Sequence, residues 1–461
     1  MKLVIAEKPS VARDLAVVMD PGARRAEGYL EGRATTWTWA LGHLAELAPP
    51  EHYVPSLAGR WTLEALPVLP TAWALRPREG DAQRKQLGVL RGLLRKAAEV
   101  IVATDAGREG ELIWAYIRDL CGYRGPVRRL WLSESTPEAV RAAFAALREP
   151  PTALEAAARA RACADWIVGM NATMALSARH GGLWSAGRVQ TPTLALLVAR
   201  EAEIRGFRPE DYRVVFATFD TQGYRYAGRW FSGGTDRLPS AAEAEALAAK
   251  VRGQTGQVVS VQRKRTQEAP PRLLNLTDLQ RLANQRHGLT AAQTLAAAQA
   301  LYEAGHLTYP RTDSRYVTPE VAGTFPDRLR ALAAMPDIAP IAQRLAAAVP
   351  DLGKRVIDAT KVTDHHALLP TDRPSDLAAL PPDQARVYGL VARRFVAALL
   401  PAAEWDEATA ITEVCGETFR SRSRAPAAPG WREAEPPTQP TQEARSGAKG
   451  GSDGQNGHGR C

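Results

Sequence analysis

The sequence predicts a multidomain chain in which an α/β domain comes first and separate helical and strand-rich segments follow. Three observations carry that expectation. Short apolar strands alternate with helix signals over residues 1–150, an Ala-, Leu- and Arg-rich run fills 151–206, and β-branched and aromatic residues take over in 207–270. At 461 residues there is enough chain for roughly two to four domains, each with its own core. An apolar share of 45% and a charged share of 24% are those of an ordinary soluble globular protein.

Leu3-Val4-Ile5-Ala6 is a short buried strand ended by Glu7-Lys8-Pro9-Ser10, with Ser10 as the expected cap of the next helix. Val100-Ile101-Val102-Ala103-Thr104 is a second buried strand, ended by Asp105, and helix signals run over 110–120. A short strand is expected near 127–132. Ser135-Thr136-Pro137-Glu138 then opens a helix as a capping box with proline in its first turn. This order predicts a parallel sheet whose carboxyl edge carries both acidic strand ends, the edge where such sheets bind ligands.

Residues 152–204 read as helix broken by Gly181-Gly182 and Gly187, and 207–267 as strands, notably Val214–Phe219 and Tyr224-Arg225-Tyr226. Residues 271–402 return to helix. One helix is expected over 276–287 and another from Thr290, where Thr290 and Gln293 form a second capping box and Gly305 provides the stop. Strand character reappears over 408–414, within a segment of 403–430. Residues 431–461 are mainly Pro, Gln, Gly, Ser, Glu and Lys and predict a disordered tail.

Lys plus Arg exceed Asp plus Glu by 59 to 50, giving a net charge of +9. That balance favours an anionic partner, nucleic acid above all. Cys121, Cys163, Cys415 and Cys461 are scattered, which argues against a zinc ribbon and for a reduced, cytoplasmic protein. The N-terminal apolar run meets Glu7-Lys8 too soon for a signal peptide, and no apolar run approaches the roughly 18 residues of a membrane span. No Gly-x-x-x-x-Gly-Lys-Ser/Thr loop is present to hold ATP.

The residues with the sharpest chemistry lie in Gly305-His306-Leu307-Thr308-Tyr309-Pro310-Arg311-Thr312-Asp313-Ser314. A phenol that attacks a phosphodiester needs a held backbone and a fixed cation for the charge that builds on phosphorus. Pro310 suits the first need and Arg311 the second. Glu7 and the run Asp105-Ala106-Gly107-Arg108-Glu109-Gly110-Glu111 could share a hard cation such as Mg²⁺, with Lys8 beside them to protonate a leaving oxygen. Arg161 and Asp165, spaced i, i+4, can pair on one helix face. His365-His366 lacks a third ligand of metal-binding spacing.

The run Ala298–Ser314 resembles the active-site segment of type IA DNA topoisomerases of the bacterial topoisomerase III kind. Glu7, Asp105 and Glu109 match the metal-binding pattern of the family's Toprim (Rossmann-like) domain. Gly107 stands where the fuller pattern has a second aspartate, and whether Glu111 compensates is left open. Arg161–Asn171 resembles a helix that grips single-stranded DNA. Ser185–Leu194 is similar to the Gly-Arg-Val-Gln-Thr-Pro signature, in which Arg188 and Gln190 would meet DNA. Thr363–Thr371 resembles an element whose first histidine, here His365, contacts the scissile phosphate region.

The resemblance covers roughly residues 1–430 and implies a Toprim domain over 1–150. It implies the first part of a helical DNA-binding domain over 151–206, the first part of a strand-rich gate domain over 207–270, a helical domain with the catalytic tyrosine over 271–402 and return strands of the gate over 403–430. Family members usually continue further to close a ring, so the ring is expected to be incomplete. The implied reaction is ATP-independent: Tyr309 cuts one strand, keeps its 5′ phosphate, lets a strand pass and reseals. Arg311, His365 and Lys8 with Glu7 would assist, and Mg²⁺ would sit on Glu7, Asp105 and Glu109. DNA with single-stranded regions, in a bacterial nucleoid or plasmid, is the implied partner, with a helicase as a candidate second one. The alternatives are a Toprim-type nuclease or primase, and a DNA-binding remnant without strand passage.

Overall fold

Leu3, Val4, Ile5 and Ala6 are completely buried, and a strand buried on both faces needs paired neighbours along both edges. The computed structural model, which describes residues 1–362 and 364–435, supplies them. The chain divides into two compact units, residues 1–208 with 303–305, and residues 209–302 with the chain from 306 onward.

In the first unit the elements run β1 (Lys2–Ala6), α1 (Pro9–Met19), β2 (Arg24–Ala26), β3 (Tyr29–Glu31), β4 (Thr35–Trp39), β5 (Ala45–Leu47), β6 (Leu75–Pro77), α2 (Asp81–Leu94), β7 (Glu99–Ala103), α3 (Arg108–Cys121), β8 (Val127–Arg129), α4 (Pro137–Ala145), α5 (Thr152–His180) and α6 (Gln190–Gly206). Six strands form one sheet in the order β2-β3-β4-β1-β7-β8. The four strands β4-β1-β7-β8 are parallel, whereas β2 and β3 extend the edge antiparallel, so the sheet is mixed rather than purely parallel. Short turns join β2, β3 and β4, and only antiparallel neighbours can be joined that way.

Ser10 does not cap α1. Pro9 already occupies the first turn, Lys8 is the extended N-cap residue, and no side chain caps the start, which leaves Ser10 inside the helix. Thr136 does cap α4, accepting a hydrogen bond from the Ala139 N–H. The strand expected over 127–132 stops at Arg129, whose side chain turns inward. The helical run breaks between α5 and α6 at the glycines the sequence marks, and α6 buries none of its residues.

The second unit contains β9 (Phe216–Thr221), β10 (Tyr224–Trp230), α7 (Ala241–Val251), β11 (Gln257–Glu268), α8 (Leu276–His287), α9 (Ala291–Glu303), α10 (Pro382–Leu399), β12 (Ala403–Val414) and β13 (Glu417–Ala428), with several short helices between α9 and α10. The strands form a five-stranded antiparallel sheet, β11-β12-β13-β10-β9. The helices surround a core in which Phe325 and Phe395 meet edge to face at 5.0 Å. Asn275 caps α8 by accepting from the Asp278 N–H at 2.8 Å, and Thr290 and Gln293 form the expected capping box before α9.

Residues 431–435, expected to open the tail, are anchored instead. Gly430–Glu433 is a short 3-10 turn, the Trp431 indole donates to the Glu268 carbonyl at 3.1 Å, Arg432 pairs with Glu268 at 2.6 Å and Glu435 pairs with Arg394 at 2.7 Å. The polar composition conceals those anchors; residues 436–461 lie outside the described residues. Among the described residues no helix is long and apolar enough to cross a membrane.

One buried ion pair underlies the carboxyl edge of the first sheet. Arg129 and Glu111, with side chains 1% and 3% exposed, meet at 2.6 Å. Burial pushes the Glu111 carboxyl above its usual range, and the guanidinium works against that shift. Arg129 also donates to the carbonyls of Val102, Leu130 and Asp105 at 3.0, 2.6 and 2.7 Å. Removing one partner strands the other in the interior. Arg129→Met should therefore destabilise the first unit by about 3–5 kcal/mol, and Arg129→Met with Glu111→Leu should recover most of that loss. The measurement is the urea midpoint of the first unit's transition.

Candidate active site

Ala6 of β1 and Ala103 of β7 are register partners on adjacent parallel strands. Glu7 lies one residue past the first and Asp105 two past the second, so both acidic groups share one sheet edge. Glu7 is 9% exposed. The turn from Asp105 into α3 is tightly cinched: the Thr104 hydroxyl donates to the Gly110 carbonyl at 2.9 Å, and a Cβ on Gly110 would come within 2.0 Å of the Asp105 carbonyl oxygen. Glycine is required there because the backbone leaves no room.

Glu109 and Glu111 both occupy the first turn of α3, where the helix dipole favours negative charge, but their surroundings differ. Glu109 reaches the surface and meets His43 Nε2 at 2.5 Å. Glu111 faces the interior as Arg129's counter-ion. A Cβ on Gly107 would meet nothing within 4 Å, so no steric need holds glycine at that position. Lys8, at the start of α1, keeps its side chain 40% exposed.

Arg161 and Asp165 do share a face of α5, but their closest approach is 3.8 Å. Asp165 is engaged more closely by Arg188, whose Nε and Nη2 both donate to it and hold its carboxyl below the usual range. The bidentate fork wins because Arg188 comes from the turn before α6, outside the geometry of a single helix. Gln190 donates to the Ser185 hydroxyl at 2.8 Å, bracing the same turn.

In the second unit Tyr309 is 6% exposed and its ring lies between two others. Tyr302 of α9 meets it edge to face at 5.2 Å, and the His365 ring sits 4.5 Å away at a 40° tilt. Main-chain bonds tie the two flanking segments together: the Thr308 N–H donates to the Leu369 carbonyl at 3.0 Å, and the Thr371 N–H to the His306 carbonyl at 3.1 Å. The Thr312 hydroxyl donates to the His365 carbonyl at 3.0 Å. Arg311 is exposed, two residues beyond the tyrosine. His365 is thus joined to Tyr309, as the sequence motif suggests, while Thr363 lies outside the described residues.

The sequence offered no signal for His43 or for Arg129's hold on Asp105. Tyr302 could have been found, as the residue of α9 whose helical spacing points it inward beside Leu301.

His366 is 7% exposed, and its Nδ1–H donates to the Ala367 carbonyl at 2.7 Å. Burial pushes its pKa down from 6.5 to about 4. The unfolded chain therefore binds more protons in that window, and stability present above about pH 6.5 is lost as the pH falls toward about 4. His366→Gln should flatten the pH dependence of the second unit's melting temperature over that range, as thermal unfolding at a series of pH values would show.

Residues 149–455 match the protein family described as DNA topoisomerase, and residues 2–135 match the Toprim domain. The first match runs past residue 430, where the resemblance visible in individual motifs ends. DNA topoisomerase 3 of Shouchella clausii is 40% identical over 437 residues, and its counterpart in Bacillus cereus is 40% identical over 438. Each alignment takes in 94% of this chain, and the chain spans 59% of the length of these curated relatives. The full-length topoisomerase I of Thermotoga maritima shares the fold, with a TM-score of 0.71 at 22% identity, over 95% of this chain and 68% of that one. The chain belongs to the type IA DNA topoisomerases and is similar, within them, to bacterial topoisomerase 3.

Proposed function

We propose that this chain cleaves single-stranded DNA by attack of the Tyr309 phenol on a phosphodiester, keeping the 5′ phosphate as a phosphotyrosine and releasing a 3′ hydroxyl. The observation that carries the proposal is the pinned Tyr309–His365 pair, a phenol on a backbone that cannot drift beside a group able to meet a phosphate. In the reaction the phenolic proton passes to solvent water as the new P–O bond forms and the bond from phosphorus to the 3′ oxygen breaks. Arg311 and His365 offset the charge on phosphorus, and Lys8 with Glu7 delivers a proton to the departing 3′ oxygen. Arg161, Arg188 and Gln190 hold the strand, mainly by its phosphates, with Asp165 orienting the two arginines. The ester retains the broken bond's free energy, so resealing is the same step reversed, without ATP. Strand passage, and with it relaxation or decatenation of DNA, is the activity that follows.

The acidic strand ends suit a hard cation that keeps most of its waters. Among the described residues no three His, Cys, Asp or Glu side chains gather as a metal cage, and Mg²⁺ needs only one or two carboxylates. Glu7 and Asp105, with Glu109, would hold it, and its charge would draw a neighbouring phosphate toward them.

Wild-type protein incubated with end-labelled single-stranded DNA and Mg²⁺ should give a covalent adduct on a denaturing gel and the matching gain in intact mass. Tyr309→Phe should abolish both. Cutting that persists in Tyr309→Phe would mean a metal-dependent nuclease instead. Gly107→Asp, placed where a side chain has room and where aspartate caps helices well, should tighten Mg²⁺ binding on the order of tenfold by adding ligand charge, as read by calorimetry.

A further inference from the structure

His306 stands three residues before Tyr309, just after α9 has ended. Its main-chain carbonyl accepts from the Thr371 N–H at 3.1 Å, one of the bonds that join the Tyr309 segment to residues 365–371. Its side chain makes a separate attachment. The Ser375 hydroxyl meets His306 Nδ1 at 2.7 Å, and the imidazole ring meets Tyr388 of α10 edge to face at 6.4 Å. Tyr388 is completely buried and Ser375 is 2% exposed, so both partners belong to the packed interior.

The ring is arranged to accept a hydrogen bond. Burial and the charge of Arg373 push the His306 pKa below its usual value, which keeps the imidazole neutral with one nitrogen free of a proton. A second acceptor stands near the Ser375 hydroxyl, the Arg373 carbonyl, but its 3.4 Å separation exceeds the usual O–H···O range of about 2.5–3.0 Å. The Ser375 hydroxyl therefore donates to Nδ1, and Nε2 carries the ring proton.

This side-chain tie removes a freedom that the main chain leaves. The bonds from the Thr308 and Thr371 N–H groups flank a single antiparallel bridge, Leu307 to Pro370. Two bonds beside one bridge act as a hinge, about which residues 365–375 could still swing. His306 holds Ser375, four residues beyond Thr371, and the swing is blocked. At the other end of the same stretch the His365 ring lies 4.5 Å from that of Tyr309.

We propose that His306 is a positioning residue for Tyr309: by holding Ser375 it fixes the stretch that sets His365 against the phenol. The proposal deepens the cleavage reading and rests on it for its kinetic consequence.

The test compares three variants of the full chain. His306→Phe keeps a ring against Tyr388 and loses the acceptor. His306→Asn returns a polar atom near the place of Nδ1, whereas His306→Gln puts one nearer the place of Nε2. Single-turnover cleavage of end-labelled single-stranded DNA is measured at a temperature where circular dichroism shows every variant folded. The rate should fall roughly tenfold in His306→Phe and His306→Gln and return to within about twofold of wild type in His306→Asn, with the Kd for DNA unchanged in all three. A wild-type rate in His306→Phe, an equal fall in all three variants, or a loss of affinity without a loss of rate would overturn the proposal. Hydrogen exchange over residues 365–375 gives a readout that needs no chemistry. Protection of the Thr371 amide should drop in His306→Phe and recover in His306→Asn; unchanged protection in His306→Phe would also overturn the proposal. If the wild-type protein forms no covalent adduct, the cleavage mechanism fails, and the exchange measurement alone decides whether His306 fixes the stretch.

Discussion

The loop that carries Tyr309 is held by a pair of main-chain hydrogen bonds, and the packing around that ring depends on them. The Thr308 N–H meets the Leu369 carbonyl and the Thr371 N–H meets the His306 carbonyl, at 3.0 and 3.1 Å. A returning bond from the Leu369 N–H to the Thr308 hydroxyl, at 3.0 Å, closes the ladder. Each bond contributes modestly, about 1 kcal/mol, but breaking one in a buried setting leaves a group unsatisfied at a further cost of about 1–3 kcal/mol. The His365 ring reaches Tyr309 because the same segment carries it.

Both units use a buried arginine to hold a loop by its carbonyls. Arg129 donates to the carbonyls of Val102 and Asp105 beneath the acidic edge, and Arg328, 4% exposed, donates to the Pro370 carbonyl at 2.7 Å beside the Tyr309 ladder. The guanidinium suits this task because it stays charged and offers several donors in a fixed plane. A flexible ammonium would fix fewer oxygens. Asp105 and Tyr309 thus sit on loops whose order comes from buried guanidinium groups beneath or beside them. Glu111 illustrates the division of labour: from sequence it belongs to the acidic cluster, yet its partner is the scaffold arginine.

Much of the layout was legible in local patterns. The buried strand before Glu7, the second before Asp105, the helix over 276–287 and the capping box at Thr290 all follow from short-range spacing and were found where expected. The errors came where a residue had more than one possible partner. Ser10 reads as a cap until Pro9 is seen to occupy the first turn; Asp165 does pair with Arg161, at 3.8 Å, but Arg188 reaches it more closely from another segment. Residues 431–435 read as tail because their composition is polar, although Trp431, Arg432 and Glu435 each find an anchor far back in the chain.

The sequence by itself determined the order of elements and the acidic strand ends, because these depend on near neighbours and on the hydrophobic period. Only the tertiary structure decided that Glu111 turns inward, that Glu109 meets His43, that Tyr302 packs on Tyr309, and that like-charged arginines stand opposite each other on the five-stranded sheet. Those facts depend on which strands and segments lie side by side, and residues distant along the chain carry no periodic mark of the partner they will meet.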